Sequence, residues 1–153
     1  MLIHGQFKIM SNLEYILKYI NNTFPEIHKE LFSDIKGSNY EKLITWHRNV
    51  LQPRCQTLTE LMLNPNSLKV DKTKEVQRFE KLLKNMDDML RDGKSTFLSG
   101  TESVSAIDVT LHSEVSTVIF MYSTREKLNK LDYPYLQPWM DRMQGIQVIY
   151  ESL

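Results

Sequence analysis

The stretch Phe97-Leu98-Ser99-Gly100-Thr101-Glu102-Ser103-Val104-Ser105-Ala106-Ile107-Asp108-Val109-Thr110-Leu111 decides how the chain is read. An apolar pair meets a Gly turn, a short polar loop follows, and a helix begins. Ser105 and Asp108 stand three apart, the spacing of a reciprocal N-terminal cap, with Asp in the place usually taken by Glu or Gln. The Ser105 hydroxyl can accept from the Asp108 amide while the Asp108 carboxylate reaches back to the Ser105 amide, at the positive end of the helix dipole. Val104 and Val109 occupy the two positions of a hydrophobic staple. Beyond the cap, Val109, Leu111, Val115, Val118, Ile119 and Tyr122 predict an apolar core helix over 105–123, with Ser105 and Asp108 as its structural N-cap.

Working outward, Leu136, Trp139, Met140 and Met143 predict a helix over 135–144, ended by Gly145, with a last helical turn over 146–152. Upstream, a helix over 71–91 carries Val76, Phe79, Leu82, Leu83, Met86, Met89 and Leu90 on one side. Lys72, Lys74, Arg78, Lys81 and Lys84 lie mostly on the other, interleaved with Glu75 and Glu80, as a solvated face laced by helical ion pairs. Asp92-Gly93 stops this helix. Before it, Ser38 with Glu41 forms a capping box for a long helix reaching about Met62. Its apolar side takes Tyr40, Leu43, either Trp46 or His47, Val50, Leu51, Leu58 and Leu61. Pro53 removes a backbone donor and clashes one turn back, which predicts a kink near 49–53. Asn64-Pro65-Asn66-Ser67 reads as a turn.

The N-terminal part is lighter in signal. Leu2-Ile3 and Phe7-Lys8-Ile9 flank His4-Gly5-Gln6 as a β-hairpin, an element that is marginal alone and exposes both edges. Ser11 and Glu14 supply a capping box for a helix with Leu13, Ile16, Leu17 and Ile20 on one face, ended by Asn21-Asn22 and Pro25. Residues 26–36 read as a short linker helix before Gly37.

Composition narrows the classes. With 153 residues, 41% hydrophobic and 25% charged, the chain is long enough for a single core and too apolar for disorder. Nineteen acidic and 19 basic residues cancel, so nothing points to nucleic acid or to an anionic membrane. The single Cys55 makes no internal disulfide, no apolar run has membrane-span length, and no secretion signal opens the sequence, so the cytoplasm is expected.

Two blocks carry a resemblance. Phe97-Leu98-x-Gly100 followed by Ser105-x-x-Asp108 resembles the opening of the core helix in the all-helical C-terminal domain of the glutathione transferases. Tyr133-Pro134-x-Leu136-x-x-Trp139-x-x-Arg142-Met143 is similar to a second segment of that family, in the same order. The first 25 residues resemble the last hairpin and last helix of the family's thioredoxin-like N-terminal domain. The fold expected is thus mainly α: a glutathione-transferase C-terminal-like helical bundle over 26–153, preceded by a remnant hairpin and helix over 1–25.

The same resemblance shapes the expected chemistry. The family's thiol-activating Tyr, Ser or Cys and its cis-Pro both belong to parts of the N-terminal domain with no counterpart here, since no proline precedes Pro25. A Glu-Ser or Gln-Ser pair binds the γ-glutamyl end of glutathione in the family; here it is Met10-Ser11, so only Ser11 is a residual glutathione-binding residue, and a helix cap explains it equally well. By position Trp46, Arg48, Met121 and Tyr122 are candidates for the hydrophobic-substrate groove, although aromatics at helical spacing usually build core. His4, His28, His47 and His112 form no metal-type or catalytic cluster, and Cys55 reads as a small core residue. No catalytic residue and no metal are expected, no cofactor is required, and glutathione is a possible substrate only if the absent domain is supplied. The leading expectation is a non-catalytic interaction or assembly module with a protein partner or as a homodimer, contacting neither nucleic acid nor membrane. The alternatives are the C-terminal part of an active glutathione transferase and a binding protein for hydrophobic small molecules.

Overall fold

A computed structural model describes residues 2–4, 7–9, 23, 40–65, 69–93, 95–125 and 133–151. The architecture is mainly α. Strands β1 (Leu2–His4) and β2 (Phe7–Ile9) pair antiparallel, with Leu2 opposite Ile9 and His4 opposite Phe7. Helix α1 (Tyr40–Trp46) runs through one π turn (His47–Leu51) straight into α2 (Gln52–Leu63). Then come α3 (Lys72–Gly93), α4 (Ala106–Arg125) and α5 (Leu136–Glu151). Helix α4 packs on α1, α2 and α5, while α3 packs on α2 and α5. The helix expected from Ser11, the linker helix over 26–36, and Ser38, Asn66 and Ser67 lie outside the described residues.

Pro53 acts through the π turn. Without an N–H it cannot serve the carbonyl four residues back, and its ring crowds that carbonyl. Widening the preceding turn by one residue relieves the conflict: the Gln52 amide donates to His47 O, five residues away. Where a kink was expected near 49–53, the helix passes through this π turn and continues without a break in its helical run. The turn also changes the register of the buried face. His47, Leu51, Cys55 and Leu58 point inward, whereas Val50, expected on the apolar side, is 37% exposed. His47, and not Trp46, takes the fully buried position.

On α3 the buried positions are Glu75, Phe79, Leu82, Leu83, Met86, Asp87 and Leu90. Met89, assigned to that face from the sequence, lies just past the stripe and is exposed. Lys74, Lys81 and Lys84 are exposed as expected and Lys72 is half-buried, while two arginines, both partly in solvent, reach a buried acid. Arg54 Nη1 donates to Glu75 Oε2 at 2.9 Å, and Arg78 donates to Glu75 Oε1.

In α4, Ile107, Leu111 and Val115 are wholly buried and Val118 nearly so. Val109, the second member of the expected staple, is 43% exposed, and Ile107 fills the core in its place. The expected break at Gly145 is absent. Helix α5 continues through it to Glu151, and a Cβ built on Gly145 would meet nothing within 4 Å. Interior glycine costs a helix roughly 0.5–1 kcal/mol relative to alanine, a cost the Ile146-containing turn tolerates. Gly145→Ala should therefore raise the unfolding free energy by about that amount, read as a higher urea midpoint. An unchanged or lower midpoint would place the residue outside a helical interior.

Candidate functional site

Two features stand out: a buried polar knot at the start of α4, and a cleft beside it. The knot is centred on Asp108, with no exposed surface. The capping pair has the reciprocal form expected: Ser105 N donates to Asp108 Oδ2 at 3.3 Å and Asp108 N to Ser105 Oγ at 3.4 Å. Ser105 Oγ also donates to Asp108 Oδ2 at 2.6 Å. Beyond the cap, Leu98 N (2.8 Å) and Ser99 N (3.4 Å) donate to Oδ1, and Ser99 Oγ to Oδ2 at 2.7 Å. Trp139 Nε1 of α5 donates to Oδ1 at 3.4 Å. One carboxylate thus gathers the 97–100 turn, the α4 N-terminus and α5, while the helix dipole favours its charge. Gly100, at φ 80°, closes that turn by donating its amide to Phe97 O at 3.0 Å. Arg142 Nη1 of α5 adds a bond to Thr96 O at 2.9 Å and lies over the Phe97 ring.

A second carboxylate does similar work for α5. Asp87 Oδ1 accepts from Tyr135 N at 2.8 Å and Leu136 N at 2.9 Å, capping the helix from a distance in sequence. Lys84 Nζ donates to its other oxygen at 3.2 Å. Burial pushes this carboxyl up, but the Leu136 and Tyr135 amides and the Lys84 ammonium outweigh it, and the net direction is down.

Burial, helped by the field of Glu114, pushes the Cys55 thiol up to about 12, so it stays protonated and unreactive at neutral pH. His112 meets Trp139 edge-on at 5.9 Å, and burial pushes its imidazole down. His47 Nε2 stands 3.0 Å from Glu114 Oε2, an ion-pair distance without hydrogen-bond geometry. Among the described residues no group of three or more His, Cys, Asp and Glu side chains is placed to hold a metal ion, and no helix is long and apolar enough to cross a membrane.

The cleft, of about 830 Å³, opens between α1 and the C-terminal end of α3. Lys42 and Trp46 form one wall, Asn85, Asp88 and Asp92 the other, and Phe97 lies at its base. Of the residues expected in a hydrophobic-substrate groove, Trp46 alone lines it. Tyr122 borders a separate apolar void of about 10 Å³ among Leu58, Phe79 and Val118, too small for a ligand. Between the levels of Trp46 and Leu58 the helix rises on the order of 18 Å, so the two aromatics do not share a groove. Met121 is half-buried against the core, and Arg48 is exposed on the π turn. Ser11 lies outside the described residues. Lys42, Asn85 and Asp88 carried no sequence signal beyond that of a solvated face, and Asp92 only that of a helix stop.

No family model, no curated protein and no solved structure matches this chain.

Proposed function

We infer that the chain is a glutathione-transferase-like helical domain that works, without catalysis, as a protein-interaction or assembly module. Modules of this kind serve translation elongation factor and aminoacyl-tRNA synthetase complexes in that family. The supporting observation for the family likeness is convergence on Asp108. The two sequence blocks that carry the resemblance, one around Phe97–Asp108 and one around Tyr133–Met143, meet through Trp139, Arg142 and the 97–100 turn. For association, the support is the sheet: among the described residues β1 and β2 pair only with one another, and a two-stranded sheet offers its outer edges to another chain. A second copy in a two-fold arrangement is the simplest occupant, a heterologous protein the next. The expected setting is the cytoplasm, with no cofactor required.

Deleting residues 1–9 should abolish association while circular dichroism shows the helices intact. Sedimentation of the intact and shortened chains tests it. A monomeric intact chain that captures no partner rejects the reading, and a dimer that survives the deletion moves the interface to the helices. The alternative, the C-terminal part of an active glutathione transferase, is favoured by the cleft beside Trp46. It requires that the chain, once a thioredoxin-like domain carrying the thiol-activating residue is supplied, turns over glutathione with a chromogenic aryl halide above the background rate, where the module reading expects none.

A further inference from the structure

We propose that two copies of this chain associate by exchange: the apolar face of the β1–β2 sheet of each copy docks on the outer line of α4 in the other. The proposal rests on the association reading above and says where on the second copy the sheet lands. The receiving face is on α4. Among the described residues, its exposed positions are Val109, Ser113, Thr117 and Phe120. Their spacing of four, four and three residues sets them on one line along the helix. None is charged, whereas the exposed positions of α3 include Lys74, Arg78, Lys81 and Lys84. Val109 is 43% exposed and Phe120 69%, and the helix rises about 16 Å between them. A surface helix ordinarily turns charged residues to solvent, so a solvent line without any is suited to being covered. The hydroxyls around it need nothing from outside. Thr110 Oγ1 donates to Ala106 O at 2.9 Å, Ser116 Oγ to Ser113 O at 3.3 Å and Thr117 Oγ1 to Ser113 O at 2.7 Å. An apolar cover would strand none of these donors.

The matching half is the sheet. Directly opposed residues of an antiparallel pair share a face, so the register places Leu2, Ile9, His4 and Phe7 on one side and Ile3 with Lys8 on the other. The first side is apolar except at His4 and carries no lysine, arginine or carboxylate. Three residues of strand span roughly 10 Å, which fits within the length of the α4 line. A two-stranded sheet needs a helix or a further strand against its apolar face to be stable. Within one chain the sheet does not cover the α4 line, since Val109 and Phe120 keep their exposure. A second copy carries the same two faces. Reciprocal docking about a two-fold axis matches them twice, each chain giving one sheet and receiving one. Pairing through the sheet edges alone would leave Phe120 in solvent.

The test uses full-length chains and sedimentation equilibrium. The intact chain should dimerise. Phe7→Lys spoils the face that is given and Phe120→Glu the face that receives it. Each should weaken association about tenfold or more, because each sets a charge in an apolar contact. Mixed one to one, the two variants should associate again: the intact sheet of the Phe120→Glu chain meets the intact α4 of the Phe7→Lys chain. Phe120 is exposed, so circular dichroism of its variant should match wild type. A Phe120→Glu chain that dimerises as tightly as wild type overturns the proposal and leaves an edge-paired dimer standing. A mixture that stays monomeric also overturns it. A monomeric intact chain, or a dimer untouched by removal of residues 1–9, rejects the association reading and this proposal with it.

Discussion

Asp108→Ala should lower the unfolding free energy by about 4 kcal/mol, the largest effect of any single substitution foreseen in this chain. Six donor contacts end on this one carboxylate, from Leu98 N, both polar atoms of Ser99, both of Ser105, and Trp139 Nε1. Hydroxyls of Ser99 and Ser105 can rotate to other acceptors. The three backbone amides and the indole cannot, and each buried donor left unmade costs about 1–3 kcal/mol. Partial relaxation and water entry bring the sum down to the figure given. Asp108→Asn separates the parts: a carbonyl oxygen still accepts from Leu98 N and Trp139, while the new NH2 group opposes the donors on the other side. It should fall between wild type and Asp108→Ala. Urea denaturation of the three, with exposed Lys81→Ala as control, measures this directly. An Asp108→Ala midpoint shift no larger than that of Lys81→Ala would mean the knot does not hold α4 in place.

That knot was half legible beforehand. The Ser105–Asp108 spacing pointed to the cap because capping is a local geometry, written in residues three apart. The donors from Leu98, Ser99 and Trp139 were not, since separations of ten, nine and 31 residues leave no periodic trace. Elsewhere the misses come from applying a rule of local sequence where the helix itself does not follow it. Gly145 looked like a stop, yet nothing crowds it and the helix carries on. Val50 fell out of phase because the π turn adds a residue that an α-helical count does not include. Glu75 reads as part of a solvated pattern and Asp87 draws no reading of its own, although both stand in phase with Phe79, Leu83 and Leu90. A charge in phase with an apolar stripe was the signal available, and it marks the acids that the fold buries and pairs. The cleft was least legible: its walls come from two helices, and only Trp46 drew notice.

Asp87 gives the second large effect and ties it to pH. Asp87→Ala should cost about 3 kcal/mol, because the Tyr135 and Leu136 amides at the start of α5 lose their acceptor and Lys84 its partner. Asp87→Asn keeps an oxygen for both amides and loses only the charge, so it should cost about 1 kcal/mol at neutral pH. The folded carboxyl titrates below its ordinary value, its burial being outweighed by the two amides and Lys84. A depressed folded pKa means that the unfolded chain binds the proton more readily. The stabilisation is therefore whole above the unfolded carboxylate value near 4 and drains away as pH falls through the lower folded value. Wild type and Asp87→Asn should accordingly differ most at pH 6–7 and converge below about pH 4, as the native carboxyl takes up its proton. Urea midpoints measured at stepped pH from 7 to 2.5 decide it. A gap between the two proteins that stays constant down to the lowest pH would show that the charge on Asp87 contributes nothing to holding α5 against α3.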